Sequence, residues 1–370
     1  MKKLCIILCL LLALAACSQV SPQTTTSSAP TESTPEITPE LTPEVVTPRE
    51  PVAVNVGVIR GPSGMGMACL MDSVGVGDIY TAAVVDNAIP ERAPLEYSFT
   101  LASSPVEVTS MLATGELDIA ALPSNTAATL YNRLNGGIKT IALTTRGVLY
   151  ILENGDTVNS IEDLHGKTIY MFGQGANPEY VLNHVLRENG LEPGTDVFIE
   201  FRENEELVTL AAAGMVDICM LPVPSSTAVL MRNEDFRVAL DINEEWNSLE
   251  NGGDLIMTCV VIRTEFLEAN PEAVESFLVE YYYSLSAIAD LEPSLKELTS
   301  ELKPSVEELL AVLGIVGNAA IAKNAIPYSN LCFIKGSDMQ SAIEGYYDIL
   351  FSADPAAIGG AIPDENFYLK

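Results

Sequence analysis

The sequence offers little from which to build a metal or proton-transfer centre. Its 370 residues include 2 His, the side chain most used as a metal ligand and as a proton carrier near neutral pH. Basic residues are also scarce: 19 Lys and Arg stand against 50 Asp and Glu, a formal net charge of −31. Nucleic-acid binding rests on a basic patch, so that balance argues against nucleic acid as a partner. It argues equally against electrostatic adhesion to an anionic membrane surface. It does not exclude a small anion, because backbone N–H groups can bind one locally. The hydrolase and metalloprotease patterns G-x-S-x-G and H-E-x-x-H do not occur. No C-x-x-C pair occurs either, so neither a zinc knuckle nor a redox dithiol is signalled. Beyond the first 16 residues no uncharged apolar run approaches the ~20 residues that a spanning helix needs. A hydrophobic content of 48% at this length supports real cores in roughly two domains.

At the N-terminus, Lys2 and Lys3 precede an uncharged apolar stretch over 4–16, which ends in Leu14-Ala15-Ala16-Cys17. This resembles a bacterial lipoprotein signal. The resemblance implies removal of residues 1–16 and acylation of Cys17, with the body held outside the cytoplasmic membrane. Several acyl chains at ~0.8 kcal/mol per buried CH₂ give stable anchoring. A plain secretory signal with an incidental Cys is the alternative. Residues 17–51 read as a tether rich in Ser, Thr and Pro, with Thr-Pro-Glu at 34–36, 38–40 and 42–44. Such a chain is too poor in apolar residues to fold and favours extended polyproline geometry. At ~3.1 Å per residue it reaches roughly 100 Å. In the body, Cys69, Cys219, Cys259 and Cys332 remain. Cys219 and Cys259 lie in apolar strand-like runs and are expected as buried free thiols.

The strongest signal in the body is a repeat. Glu107, Gly115, Asp118, Ile119, Leu122 and Pro123 recur in the same spacing as Glu206, Gly214, Asp217, Ile218, Leu221 and Pro222. Each copy reads as a helix closed by Gly, a turn carrying Asp, a buried strand, and a Pro that stops the strand and opens a helix. Upstream, a strand at 52–59 runs into Gly61-Pro-Ser-Gly-Met-Gly66 and a helix at 67–72. Its counterpart is a strand at 167–172, a loop from Gly173 to Pro178 and a helix at 179–189. Second strands follow at 95–101 and 196–201, so two parallel α/β lobes are expected. Strands at 138–144 and 147–153 carry the chain from the first lobe to the second. A strand at 236–243, a loop at 244–254 and a strand at 255–263 bring it back. Asn270-Pro271-Glu272 opens a helix to about 290, and helices near 305–323 and 337–352 follow. Lobe I is thus 52–145 plus 256–370 and lobe II is 146–255, joined by two crossings in hinge geometry.

The lipoprotein-like signal, the duplicated G-x-x-D-I-x-x-L-P and the two crossings resemble type II extracytoplasmic solute-binding proteins of ABC importers. The sulfonate/nitrate/taurine and thiamine-pyrimidine-precursor branch is the nearer likeness. It is supported by the stretches Ser160–Thr168, Val261–Ala273 and Ile358–Phe367 and covers roughly 52–370. His165 departs from the Lys usual at its place, a position expected on the surface. The resemblance implies a periplasmic-binding-protein-like type II α/β fold, a monomer, an ABC permease as partner and no cofactor. It also implies a small solute: a sulfonate, another small anion or a pyrimidine-like molecule. The yeast pyrimidine-synthase relatives carry a catalytic Cys motif and an active-site His, and no such cluster stands here. The reading is therefore a binding protein and not an enzyme. A solute-sensing lipoprotein for a signalling partner and an exported enzyme on the same fold are the competing readings.

In parallel α/β sheets, ligands sit beyond the carboxyl ends of the strands, at helix N-termini. On lobe I that selects Pro62, Ser63, Gly64, Met65, Ser104, Asn125 and Thr126. On lobe II it selects Gly173, Gln174, Gly175, Asn177, Pro222, Pro224 and Ser225, with Arg146 at the first crossing. Gly lets the backbone approach a ligand, and hydroxyls and amides orient it. The competing reading makes Ser104, Asn125 and Ser225 helix caps, Arg146 a surface ion pair and Met65 core. Gly61–Gly66 follows a strand but lacks the Gly-Lys-Ser/Thr ending of a phosphate loop, which argues against a nucleotide. Tyr281, Tyr282 and Tyr283 point in different directions on a helix, so at least one is core and no aromatic cage is expected. Trp246 is expected to cover the cleft or, more simply, to pack.

Overall fold

Two sheets organise the unit Arg49–Lys370 of a computed structural model, which describes residues 49–72, 94–249, 253–289, 291 and 304–370. The expected signal of 1–16, Cys17 and all but the last residues of the tether lie outside these. The first sheet contains β1 (Val52–Ile59), β2 (Leu95–Ala102), β3 (Ile119–Pro123) and β4 (Ile138–Thr145). The second holds β5 (Leu149–Asn154), β6 (Thr168–Met171), β7 (Phe198–Phe201), β8 (Ile218–Pro222) and β9 (Phe236–Asp241). The chain then returns to the first sheet with β10 (Thr258–Arg263) and β11 (Leu331–Ile334). The orders are β11-β4-β10-β3-β1-β2 and β7-β6-β8-β5-β9.

The repeat is visible in the registers. β1 runs parallel to β2 and β3, and β6 runs parallel to β7 and β8. Beside β3 lies antiparallel β10, with Thr258 opposite Pro123; beside β8 lies antiparallel β5, with Leu149 opposite Pro222. In each sheet, therefore, the strand next to the repeat's own strand is the one that has just crossed from the other. The parallel core is the expected one, and the antiparallel pairings come from the two crossings and from β11 at the edge of the first sheet. β3 and β8 are buried along their first four residues, as strands covered on both faces must be.

Helices α1 (Pro62–Met65), α2 (Ala68–Met71), α3 (Pro105–Thr114) and α4 (Ser124–Arg133) belong to the first sheet's half of the chain. With the second sheet come α5 (Asn177–Glu188), α6 (Asn204–Ala212), α7 (Ser225–Arg232) and α8 (Ile242–Asn247). The rest are α9 (Thr264–Ala269), α10 (Pro271–Ala289), α11 (Val306–Val312), α12 (Ala319–Ala325) and α13 (Asp338–Ala353). The two repeat glycines behave alike: Gly115 and Gly214 follow α3 and α6 at φ 83 and 67, where a side chain would be strained.

Several elements differ from the sequence reading. The Gly61–Gly66 segment, expected as a loop, contains the helical turn α1. The acidic segment after β9, expected as strand end and loop, starts with α8. Its Ile242 and Trp246, four apart, form the buried face. The helix expected over 305–323 is two, α11 and α12, separated by Gly314 at φ 70. Strand β11 was not anticipated; it is a four-residue edge strand, too short to show a period. All four described cysteines are free and buried. Burial pushes the Cys69, Cys219 and Cys259 thiols up to about 12 and Cys332 to about 11, so they stay protonated and inert. Among the described residues, no helix is long and apolar enough to cross a membrane.

Candidate functional site

The repeat delivers helix starts to the carboxyl ends of matching strands in both sheets. α1 follows β1 and α4 follows β3; α5 follows β6 and α7 follows β8. Contacts on two sides bring these ends together. A Cβ built on Gly61, before α1, would lie 4.0 Å from Cδ of Pro224, before α7. On the other side, α13 bridges α4 and α5. The Tyr347 hydroxyl donates to the Ser124 carbonyl at 2.9 Å, and the Tyr346 hydroxyl donates to Asn177 Oδ1. Just past α13, Asp354 accepts from the Tyr180 hydroxyl of α5 at 3.0 Å.

Each expected residue has a definite place in this arrangement. Pro62 opens α1 and is partly exposed, while Ser63, Gly64 and Met65 are buried. A Cβ on Gly64 would collide with the Ile59 carbonyl oxygen, so this glycine serves the close packing of α1 on β1. Met65 is wholly buried in the core and presents no surface to the cleft. Ser104 caps α3, accepting from the Glu107 amide at 3.5 Å. Asn125 is buried in the first turn of α4: its Nδ2 donates to the Ala357 carbonyl at 3.4 Å, and its Oδ1 has no partner. Thr126 beside it is partly exposed.

On the second sheet, Gly173 and Gly175 sit at φ 80 and 67 with exposed Gln174 between them. The Gly175 amide donates to Glu179 Oε2 at 2.6 Å. Asn177, buried at the start of α5, uses Oδ1 on Tyr346 and leaves Nδ2 without a partner. Pro222 ends β8 and Pro224 precedes α7. The Ser225 hydroxyl accepts from Asn204 Nδ2 at 2.9 Å, which leaves Asn204 Oδ1 buried and unpartnered. An unmet buried polar atom costs about 1–3 kcal/mol, so the two at the starts of α4 and α5, with a third at the start of α6, are chemically conspicuous. Arg146 forms an ion pair with Asp254 at 3.6 Å across the two crossings, both side chains being about two-fifths exposed. That contact is worth ~0–1 kcal/mol.

Sequence reasoning missed Tyr346, Tyr347 and Asn204. The two tyrosines belong to the amphipathic stripe of a helix far along the chain, and nothing local announces that the stripe ends in the site. Trp246 packs rather than covers: it is fully buried, 4.9 Å from the His184 ring and 5.8 Å from the Tyr346 ring. Burial lowers the His184 pKa, partly offset by Glu188. His165 is exposed, and Tyr281 is wholly buried. No group of three or more His, Cys, Asp or Glu able to hold a metal occurs among the described residues.

A family model described as NMT1/THI5 like matches residues 95–288, more than half of the chain. Among curated proteins nothing matches in sequence. The fold is shared with solved structures. An ABC transporter protein from Parabacteroides distasonis superposes with a TM-score of 0.65 at 22% identity, covering 86% of this chain and 99% of that one. The periplasmic aliphatic sulphonate-binding protein SsuA from Escherichia coli gives 0.63 at 15% identity, covering 87% and 93%. The periplasmic nitrate-binding protein NrtA from Synechocystis gives 0.52 at 12% identity, covering 79% and 76%.

Proposed function

This chain belongs to the NMT1/THI5-like family, and from that premise we propose that it is an extracytoplasmic, lipid-anchored receptor that binds a small organic solute and delivers it to an ABC permease. It acts as a binding protein, not an enzyme. The observation that carries the reading is the convergence of repeat-related helix starts from both sheets, with Gly61 against Pro224 at one point and α13 bridging α4 and α5 at another. Lobe I is 52–145 plus 256–370, lobe II is 146–255, and the chain between β4 and β5 together with the stretch 253–257 that leads into β10 is the hinge. A solute touched by both lobes favours the closed state by the contacts that only closure completes. Cys17 carries the lipid, and residues 17–51 give the receptor its reach.

Native mass spectrometry of the full chain, isolated from its cells in detergent, tests the reading. One small molecule per chain is the expected result. Adding that molecule at 100 times its Kd then stabilises the fold by about 2.7 kcal/mol, raising Tm by a few degrees. A chain that arrives empty and whose Tm no small solute moves overturns the proposal.

A further inference from the structure

We infer that Gly147 is the pivot of the hinge, and that two carboxamides, Asn330 of lobe I and Asn243 of lobe II, clasp it in the present arrangement of the lobes. The inference rests on the receptor reading, in which the lobes move about their crossings, and names the residues that govern that motion.

Gly147 lies between β4 and β5, on the first crossing. Its amide donates to Asn243 Oδ1 at 3.1 Å, and its carbonyl accepts from Asn330 Nδ2 at 2.5 Å. The two bonds are crossed with respect to the chain. The peptide group before the Gly147 α-carbon continues from β4, yet a lobe II side chain holds it. The peptide group after it leads into β5, where the Val148 carbonyl accepts from the Val223 amide at 3.0 Å, yet a lobe I side chain holds it. Each carboxamide thus binds the peptide group that the chain itself ties to the opposite lobe. A turn of the lobes about Gly147 pulls on both bonds at once.

The surroundings leave little slack. Asn330 sits at φ 44, a left-handed conformation that Asn adopts more readily than most residues with a side chain. Its own carbonyl accepts from the Arg146 amide at 2.9 Å, so one residue binds the crossing twice. A Cβ on Gly147 would stand 2.6 Å from Asn243 Cβ and 2.8 Å from Leu255 Cδ2. Leu255 is fully buried and belongs to the second crossing, so both crossings meet at this residue. Two residues before Asn330, the Tyr328 carbonyl accepts from the Tyr150 hydroxyl of β5 at 3.1 Å. Lobe I therefore grips the entry to lobe II through one short corner, 328–330. Opening the clasp gives up hydrogen bonds at a buried backbone position, so the clasp favours the present arrangement before any solute adds its own contacts.

Hydrogen exchange of the full chain in detergent, resolved to single amides by mass spectrometry, tests the clasp itself. Spin labels at Val106→Cys on lobe I and Met215→Cys on lobe II, both highly exposed positions, report the lobes by electron–electron distance measurement. The four described native cysteines are buried. Asn330→Gly keeps the left-handed backbone and deletes the carboxamide. The Gly147 amide, whose own acceptor is untouched, should then exchange roughly fivefold faster, the effect of one lost hydrogen bond. A longer label distance should gain population by a similar factor. Asn243→Ala should lengthen the distance in the same way. Should Asn330→Gly lack a thermal midpoint, Asn330→Asp takes its place, because a carboxylate has the shape and donates nothing. Exchange and distances unchanged from the wild type overturn the inference and leave the receptor reading standing. Faster exchange with unchanged distances makes the contact a local one and overturns the hinge role. A chain that arrives empty in native mass spectrometry and binds no solute overturns the receptor reading, while the label distances still decide the clasp.

Discussion

Asp118 and Asp217 hold the same place in the two repeat copies, yet only the first is tied into the fold. Asp118 is buried and its Oδ2 accepts from the Asn55 amide at 2.9 Å and from Asn55 Nδ2 at 3.0 Å, with Arg263 3.6 Å from its other oxygen. Asp217 is exposed, and its backbone carbonyl, not its carboxylate, accepts from Asn154. Asp118→Ala should therefore destabilise by about 1–3 kcal/mol and Asp217→Ala by no more than ~0.5 kcal/mol, read by urea unfolding. His184 gives a pH prediction. Burial holds its folded pKa below the unfolded value of ~6.5, so the unfolded chain takes up the proton first as pH falls. Its contribution is complete above the unfolded pKa and is lost as pH drops from there through the folded one. Tm measured from pH 7 to pH 5 should fall less in His184→Gln than in the wild type; an identical fall would refute the assignment. At this scale the placement of the candidate residues was partly legible. Asn125, Asn177 and Ser225 stand at helix starts as expected, because polar side chains at helix starts beyond strands are a local pattern. Met65 and Gly64 were read as facing the ligand because the sequence shows a glycine's freedom but not which neighbour requires it. Here that neighbour is the Ile59 carbonyl.

At the scale of elements, the duplicated segment made the fold readable. Two copies of one pattern in the same spacing fixed the order of strand, helix, strand and helix in both halves; the structure adds the matching strand pairs β1–β3 and β6–β8. The elements that escaped are those whose periodicity is too short to register. β11 has four residues, and α8 hides two buried side chains, Ile242 and Trp246, within an acidic run. α8 nevertheless matters for packing, because Trp246 brings it against His184 of α5 and Tyr346 of α13. Trp246→Ala opens a cavity where three helices meet, with an expected loss of about 3–5 kcal/mol. Exposed Phe198 on edge strand β7 serves as the control: Phe198→Ala should change stability by less than ~1 kcal/mol. Equal losses in the two variants by urea titration would mean that Trp246 is not the joint between these helices.

At the scale of the whole molecule, the balance of charge bears on the proposed anchor. A formal net charge of −31 argues against electrostatic adhesion to an anionic surface. The proposed anchor of acyl chains holds instead by their burial, at ~0.8 kcal/mol per CH₂, which salt does not weaken. The lipid-anchor proposal thus makes a two-part prediction. Wild-type chain should stay with the membranes through a high-salt wash and leave only with detergent. Cys17→Ser should take up no labelled palmitate, whereas the wild type does. Ligand binding should be unchanged in this variant, since the proposed tether separates position 17 from the first strand at Val52. Release of the wild type by salt alone would point to a protein partner as the anchor. Palmitate labelling of Cys17→Ser equal to that of the wild type would exclude this cysteine as the site of lipidation.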